Sequence, residues 1–92
     1  MTDAEILAVV KNGLGISTNY QDDTLNVYIS EVKAFLRDAG VPENVVKSES
    51  SVGCIMMGVS DLWNYSPGGV KFSQYFQQRV IQLSSRSGGE AT

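Results

Sequence analysis

Two adjacent carboxylates (Asp22 and Asp23), one thiol (Cys54), two glycine-containing turns and a pair of cations one helical turn apart (Lys33 and Arg37) are the residues here whose types and spacing could do chemistry. Neighbouring carboxylates are candidates for acid–base work or for binding a hard cation. In this chain they open an amphipathic segment, where acids complement the positive end of a helix, and that explains them without a ligand. Cys54 is the only cysteine and lies among apolar residues, the setting of an inert packed thiol rather than of a nucleophile. Gly13-Leu14-Gly15 lacks the third glycine and the strand–loop–helix setting of a dinucleotide loop. Pro67-Gly68-Gly69 lacks the lysine and hydroxyl of a phosphate loop, so it reads as a turn. Histidine, the commonest general base and metal ligand, does not occur. The expectation is a protein that is not an enzyme, with no catalytic residue, cofactor site or metal site.

Composition narrows the class further. A chain of 92 residues suits one domain, and a domain of that size buries only about 60–65% of its unfolded surface, so assembly with other chains is a common source of added stability. An apolar fraction of 42% is enough for a core, and a net charge of −3 with both signs interspersed is a poor match to a general nucleic-acid binder. A lone cysteine requires no oxidising compartment. The opening "MTDAEILAVV" has no basic region and too short an apolar run for a signal peptide, and no run approaches the roughly 20 apolar residues of a membrane span. The expected protein is soluble, intracellular and single-domain, with no membrane partner.

Four helical segments are expected to carry these residues. Thr2 with Glu5 three residues on forms a capping-box signature, and Gly13 offers a stop, which predicts a first helix over residues 3–12. "DDTLNVYISEVKAFLRDAG" places Leu25, Ile29, Val32, Leu36 and Ala39 on one stripe widened by Tyr28 and Phe35, and ends in Gly40 and Pro42. A third helix over 46–64 carries Val52, Met56, Val59 and Trp63 on one side and Cys54 and Met57 on the other, as a helix buried on both sides would. Gly53 and Gly58 within it predict close approach of another backbone. After the Pro-Gly-Gly break, "VKFSQYFQQRVIQLS" places Phe72, Phe76, Val80 and Leu83 on one face. Five of the chain's eight aromatics fall between Trp63 and Phe76, and the break would let Trp63 and Tyr65 meet Phe72 and Phe76 as a lid on the core or as a contact with another chain. The fold class expected is an all-α small bundle of about four helices with a long central helix pair, occupying residues 1–84. Residues 85–92, small and polar, form a flexible C-terminal tail.

The order and spacing of these segments resemble the head–tail connector (head-completion adaptor) family of tailed phages and prophages. The resemblance rests on an acid-capped first helix, on "LGISTNYQDDTLNVYISEVKAFLRDAGV", on a long apolar helix and on the ending "FSQYFQQRVIQLS", and it covers roughly residues 3–84. It implies a virion structural protein at the head–tail interface, assembled in the bacterial host cytoplasm. Such a protein forms a ring under the portal, extends the DNA channel, and gives a docking platform for the next head-completion or tail protein. The implied partners are the portal protein, that downstream protein and other copies of the chain, about twelve when docked on a twelve-fold portal. DNA would pass through without sequence-specific binding.

At about 100° per residue, Asn26, Ser30, Lys33 and Arg37 form a basic stripe on the second helix, while Asp23, Val27, Glu31, Ala34 and Asp38 form an acidic edge. In an assembly, the acidic edge of one subunit would meet a basic patch on the next, with Val27 and Ala34 as its dry centre. Candidate subunit-interface residues are therefore Val27, Lys33, Ala34, Arg37, Gly58 and Tyr65. The alternative is a small helical phage-encoded interaction module or transcription regulator, for which Asn26, Ser30, Lys33 and Arg37 would be the exposed reading face.

Overall fold

The computed structural model describes residues 2–65 and 72–90; the side chains of Tyr65 and of residues 86–90 lie outside that description. The described residues are all-helical, with α1 (Asp3–Leu14), α2 (Asp22–Asp38), α3 (Glu43–Val46), α4 (Val52–Tyr65) and α5 (Gln74–Glu90), and a 3-10 turn at Glu49–Ser51.

The capping box forms as its sequence signature predicts. The Glu5 amide donates to Thr2 Oγ1 at 3.1 Å, and the Thr2 amide donates to Glu5 Oε1 at 2.8 Å. The helix does not stop at Gly13. It runs to Leu14, and Gly15 takes the left-handed conformation (φ 73°) that closes it. Gly13 serves packing instead: a Cβ there would lie 2.6 Å from Met56 Sδ on α4. The second helix ends close to expectation, with Gly40 at φ 93° just beyond it.

The third expected helix starts later than residue 46. Residues 43–51 form α3 and the 3-10 turn, because a run of serines offers its carbonyls local partners in place of a helix ladder. Ser48 Oγ donates to the Val45 carbonyl at 2.8 Å. The wholly buried Ser51 donates to the Val46 carbonyl at 2.6 Å. The fourth segment also begins later, at Gln74. Ser73 caps it, accepting from the Phe76 amide at 3.1 Å, while its own amide donates to Asp61 Oδ2 at 2.9 Å. At the other end α5 continues past Ser84 to Glu90, so the backbone does not leave the helix at residue 85. Ser84 and Ser85 turn their hydroxyls onto the Ile81 and Gln82 carbonyls one turn back, which keeps these polar side chains compatible with helix.

The core is the meeting of α1, α2, α4 and α5, with Val41 and the α3 residues Val45 and Val46 buried at its edge. Ile6 and Val10 come from α1, and Leu25, Ile29, Val32 and Leu36 from α2. Cys54, Ile55 and Val59 come from α4, and Phe76, Val80 and Leu83 from α5. Each such aliphatic or aromatic side chain contributes about 1.5–3 kcal/mol by leaving water. α4 packs against α2, α1 and α5, which is why its apolar residues go almost all round. The aromatics pair differently from expectation. Trp63 packs edge-on against Tyr28 at 6.5 Å, while Phe72 and Phe76 join Phe35 of α2 at centroid distances of 4.8 and 5.5 Å. Here the stripe of α2 supplies the partner that the sequence reading sought in Trp63. The Tyr65 side chain and the Pro-Gly-Gly turn lie outside the described residues.

The two glycines of α4 separate in role. A Cβ on Gly58 would lie 2.7 Å from Phe76 Cε1 and 2.9 Å from both Val32 methyls, whereas Gly53 is exposed with nothing within 4 Å. Gly58→Ala is expected to destabilise by about 1–3 kcal/mol, because the neighbours are fully buried and Val32 is stiff at χ1. Gly53→Ala is expected to stabilise by about 0.5–1 kcal/mol. Thermal unfolding of the two single variants checks both signs; equal shifts would remove the distinction.

Candidate functional site

The outward-facing chemistry of the chain gathers on α2 and the elements that flank it. On one side of α2, a groove of about 590 Å³ is lined by Thr2, Asp3, Asn26, Ser30, Lys33 and Arg37, among others. Its cations are committed inside the chain. Lys33 Nζ meets Asp3 Oδ1 at 2.9 Å, with the lysine side chain only 13% exposed, so this pair fastens α1 to α2. Arg37 holds Glu43 through two bonds, Nε to Oε1 at 2.6 Å and Nη2 to Oε2 at 2.9 Å, fastening α3 to α2. Lys47 stands 3.8 Å from the same carboxylate. A third latch ties α1 to the start of α2: Lys11 Nζ contacts the buried Asp22 Oδ1 at 2.8 Å, as an ion pair rather than an aligned hydrogen bond.

The electrostatics follow from these pairs. The hydrogen bond and charge of Lys33 hold the Asp3 carboxyl below its ordinary value, and those of Arg37 do the same for Glu43. The Arg37 guanidinium is raised in turn by its bond to Glu43. The Glu5 carboxyl is lowered by the Thr2 amide it caps. Burial pushes the Cys54 thiol up to about 11, against a smaller opposing effect of the Arg79 charge; with 1% exposure it is a packed thiol in the core.

The other side of α2 is different in kind. Val27 is 58% exposed and Ala34 is exposed beside it. A cleft of about 390 Å³ is lined by Glu31, Ala34, Phe35, Asp38, Leu62 and Phe72. Its floor is the edge of the Phe35–Phe72–Phe76 cluster, and its rim carries Glu31 and Asp38, neither of which meets a cation among the described residues. Among the described residues no three of His, Cys, Asp and Glu come together as a metal site, and no helix is long and apolar enough to cross a membrane.

The structure thus divides the six sequence-predicted interface residues. Val27 and Ala34 lie together on the exposed edge of α2. Lys33 and Arg37 do not form a free basic patch, because the folded chain brings Asp3 and Glu43 to them. Gly58 is buried in the chain's own core, where what comes close to it is the Val32 side chain of α2 and the Phe76 ring of α5 rather than another backbone. The side chain of Tyr65 lies outside the described residues. Sequence reasoning missed Phe35 and Leu62 as the floor of a surface cleft; their period marked them only as core. It also missed Asp61 as the anchor for the start of α5, since its partner lies 12 residues away across the turn. Comparison of the chain with models of protein families, with curated proteins and with solved structures finds no match in any of the three.

Two outcomes follow from the latches. Reversing both cations, with Lys33→Glu and Arg37→Glu, places like charges against Asp3 and Glu43 and is expected to lower the melting temperature, where a solvated face would tolerate the change. The lowered carboxyls of Asp3 and Glu43 add stability above the ordinary carboxylate range and lose it as pH falls through their folded values. Thermal unfolding followed from about pH 7 to about pH 3 should therefore show a smaller acid-induced loss in Lys33→Met/Arg37→Met than in the parent chain. Identical pH profiles would show that these pairs contribute nothing.

Proposed function

We propose that the chain is a virion structural protein, a head–tail connector that forms a ring beneath the portal and extends the DNA channel toward the next head-completion or tail protein. The observation that carries this reading is the order of elements. An acid-capped α1, the "LGIS" loop into α2, the "DAGV" exit, the apolar α4 and the closing α5 follow one another in the all-helical arrangement that the connector resemblance implies. In this reading α2 and α4 form the long central pair, other copies of the chain and the portal are the partners, and DNA passes without sequence-specific contact. The exposed edge of α2, with Val27 and Ala34 between carboxylates, is the kind of surface such an assembly needs. The regulator alternative draws less support, because it needs Lys33 and Arg37 free to meet phosphate or base edges, and both are engaged by carboxylates of the same chain.

Native mass spectrometry of the chain mixed with the portal protein encoded nearest to its gene tests the proposal. The expected result is a complex of a portal ring with many copies of this chain. A chain that stays monomeric and leaves portal rings bare would overturn it.

A further inference from the structure

We infer that the acid-rimmed cleft on α2 receives the outer face of α5 from a second copy of this chain, with Tyr75 entering the cleft and Arg79 meeting Glu31 or Asp38. The cleft specifies its occupant by two properties. Its floor of Phe35, Leu62 and Phe72 is apolar, and at the edge of the aromatic cluster Phe35 remains 36% exposed and Phe72 half-buried, while Phe76 is wholly buried. Its rim holds two carboxylates that meet no cation among the described residues, seven residues and so about 10 Å apart along α2. Such a site takes an apolar or aromatic side chain with a cation close beside it.

Among the described residues the outer face of α5 presents that combination. Tyr75 is 70% exposed, and Arg79 follows it four residues later on the same side of α5, where Tyr75, Gln78, Arg79 and Gln82 line a shallow hollow. Among the described side chains Arg79 is the one cation that meets no carboxylate. It donates to Gln82 Oε1 at 2.9 Å and lies 3.4 Å from the Ser50 carbonyl, which hold it at the helix surface. Lys11, Lys33, Arg37 and Lys47 all have carboxylates of their own. The larger groove on the opposite side of α2 makes no such demand, since its charges are already balanced.

Because the cleft and the α5 face are different surfaces, one copy can use both. The contact is then head-to-tail, and repetition gives a closed ring or an open filament according to the angle between copies. It would supply the subunit contact of the proposed connector ring, yet it rests on these two faces and not on a portal.

Sedimentation of the full chain at low and high salt tests it, with the double variant Glu31→Lys/Asp38→Lys, the single variant Arg79→Glu, and the three changes combined. The expected result is self-association of the parent chain that weakens with salt, about tenfold weaker association in either reversed chain, and recovery when the reversals are combined. Circular dichroism establishes that each variant keeps its helices. Should Arg79→Glu lose them through its Ser50 contact, Tyr75→Ala takes its place with the same expected weakening. A parent chain that is monomeric at every concentration, or association that neither reversal weakens, overturns the contact. Portal binding is scored apart: a monomeric chain that binds portal rings overturns this contact and leaves the connector reading in place. An associating chain that ignores portal does the opposite.

Discussion

The missing side chain at Gly58 is the constraint on which the rest of the packing depends. α4 lies against α2 and α5 at one level of the bundle, and the backbone of Gly58 fills the space between the Val32 methyls and the Phe76 ring. No other residue type leaves that space, so the three helices can touch only if position 58 carries no Cβ. Phe76, held there at full burial, then brings Phe72 back toward α2, where both rings meet Phe35. One close approach therefore determines where α5 sits, which aromatics close the core, and which edge of them reaches the surface. Gly13 repeats the device between α1 and α4, with Met56 as the side chain that occupies the vacated space.

Charge performs a second and separable task. α1 and α3 are short, and the apolar faces they bring are small beside those of α2 and α4. Lys11, Lys33 and Arg37 add a polar latch to each, joining α1 to both ends of the α2 region and α3 to its last turn. Exposed pairs of this kind contribute little individually, but an arginine held at two points by one carboxylate also fixes direction. The latches orient the short helices, whereas apolar burial supplies most of the stability.

Much of this was legible in the sequence where a single period decides the outcome. The stripe of α2 is buried at Leu25, Ile29, Val32 and Leu36 as its spacing of four and three requires, and the Thr2–Glu5 box forms. Legibility ended where two local options compete or where a partner is remote. Gly13 and Gly15 are equivalent stops by residue type; the helix takes the later one, and Gly13 instead packs against Met56 on another helix. The serines between Ser48 and Ser51 are tolerable in a helix, yet their hydroxyls find nearer carbonyls in a tighter turn. Lys33 reads as a member of an outward basic stripe, because its partner Asp3 lies 30 residues away in sequence. A helical wheel assigns faces correctly but cannot say what the fold will bring to them: the glycine at 58 marks a close contact, and only the fold shows that Val32 and Phe76 of the same chain make it.

The same distinction bears on which partners the surface can attract. A count of net charge treats every lysine and arginine as available, but four of the five described cations are spent on carboxylates of the same chain, which also neutralises those acids. What remains outward on α2 is the acidic remainder, Asp23, Glu31 and Asp38, alternating with Val27, Ala34 and the edge of Phe35. Phosphate gains nothing from such a face, since among the described residues no unpaired ammonium or guanidinium stands there to displace its counterions. A protein surface with an apolar side chain and one cation gains both burial and a charge pair there. The pairing of cations within the fold thus suits this edge of α2 to a protein surface better than to phosphate, and under the connector reading it is also what would leave DNA unheld as it moves past.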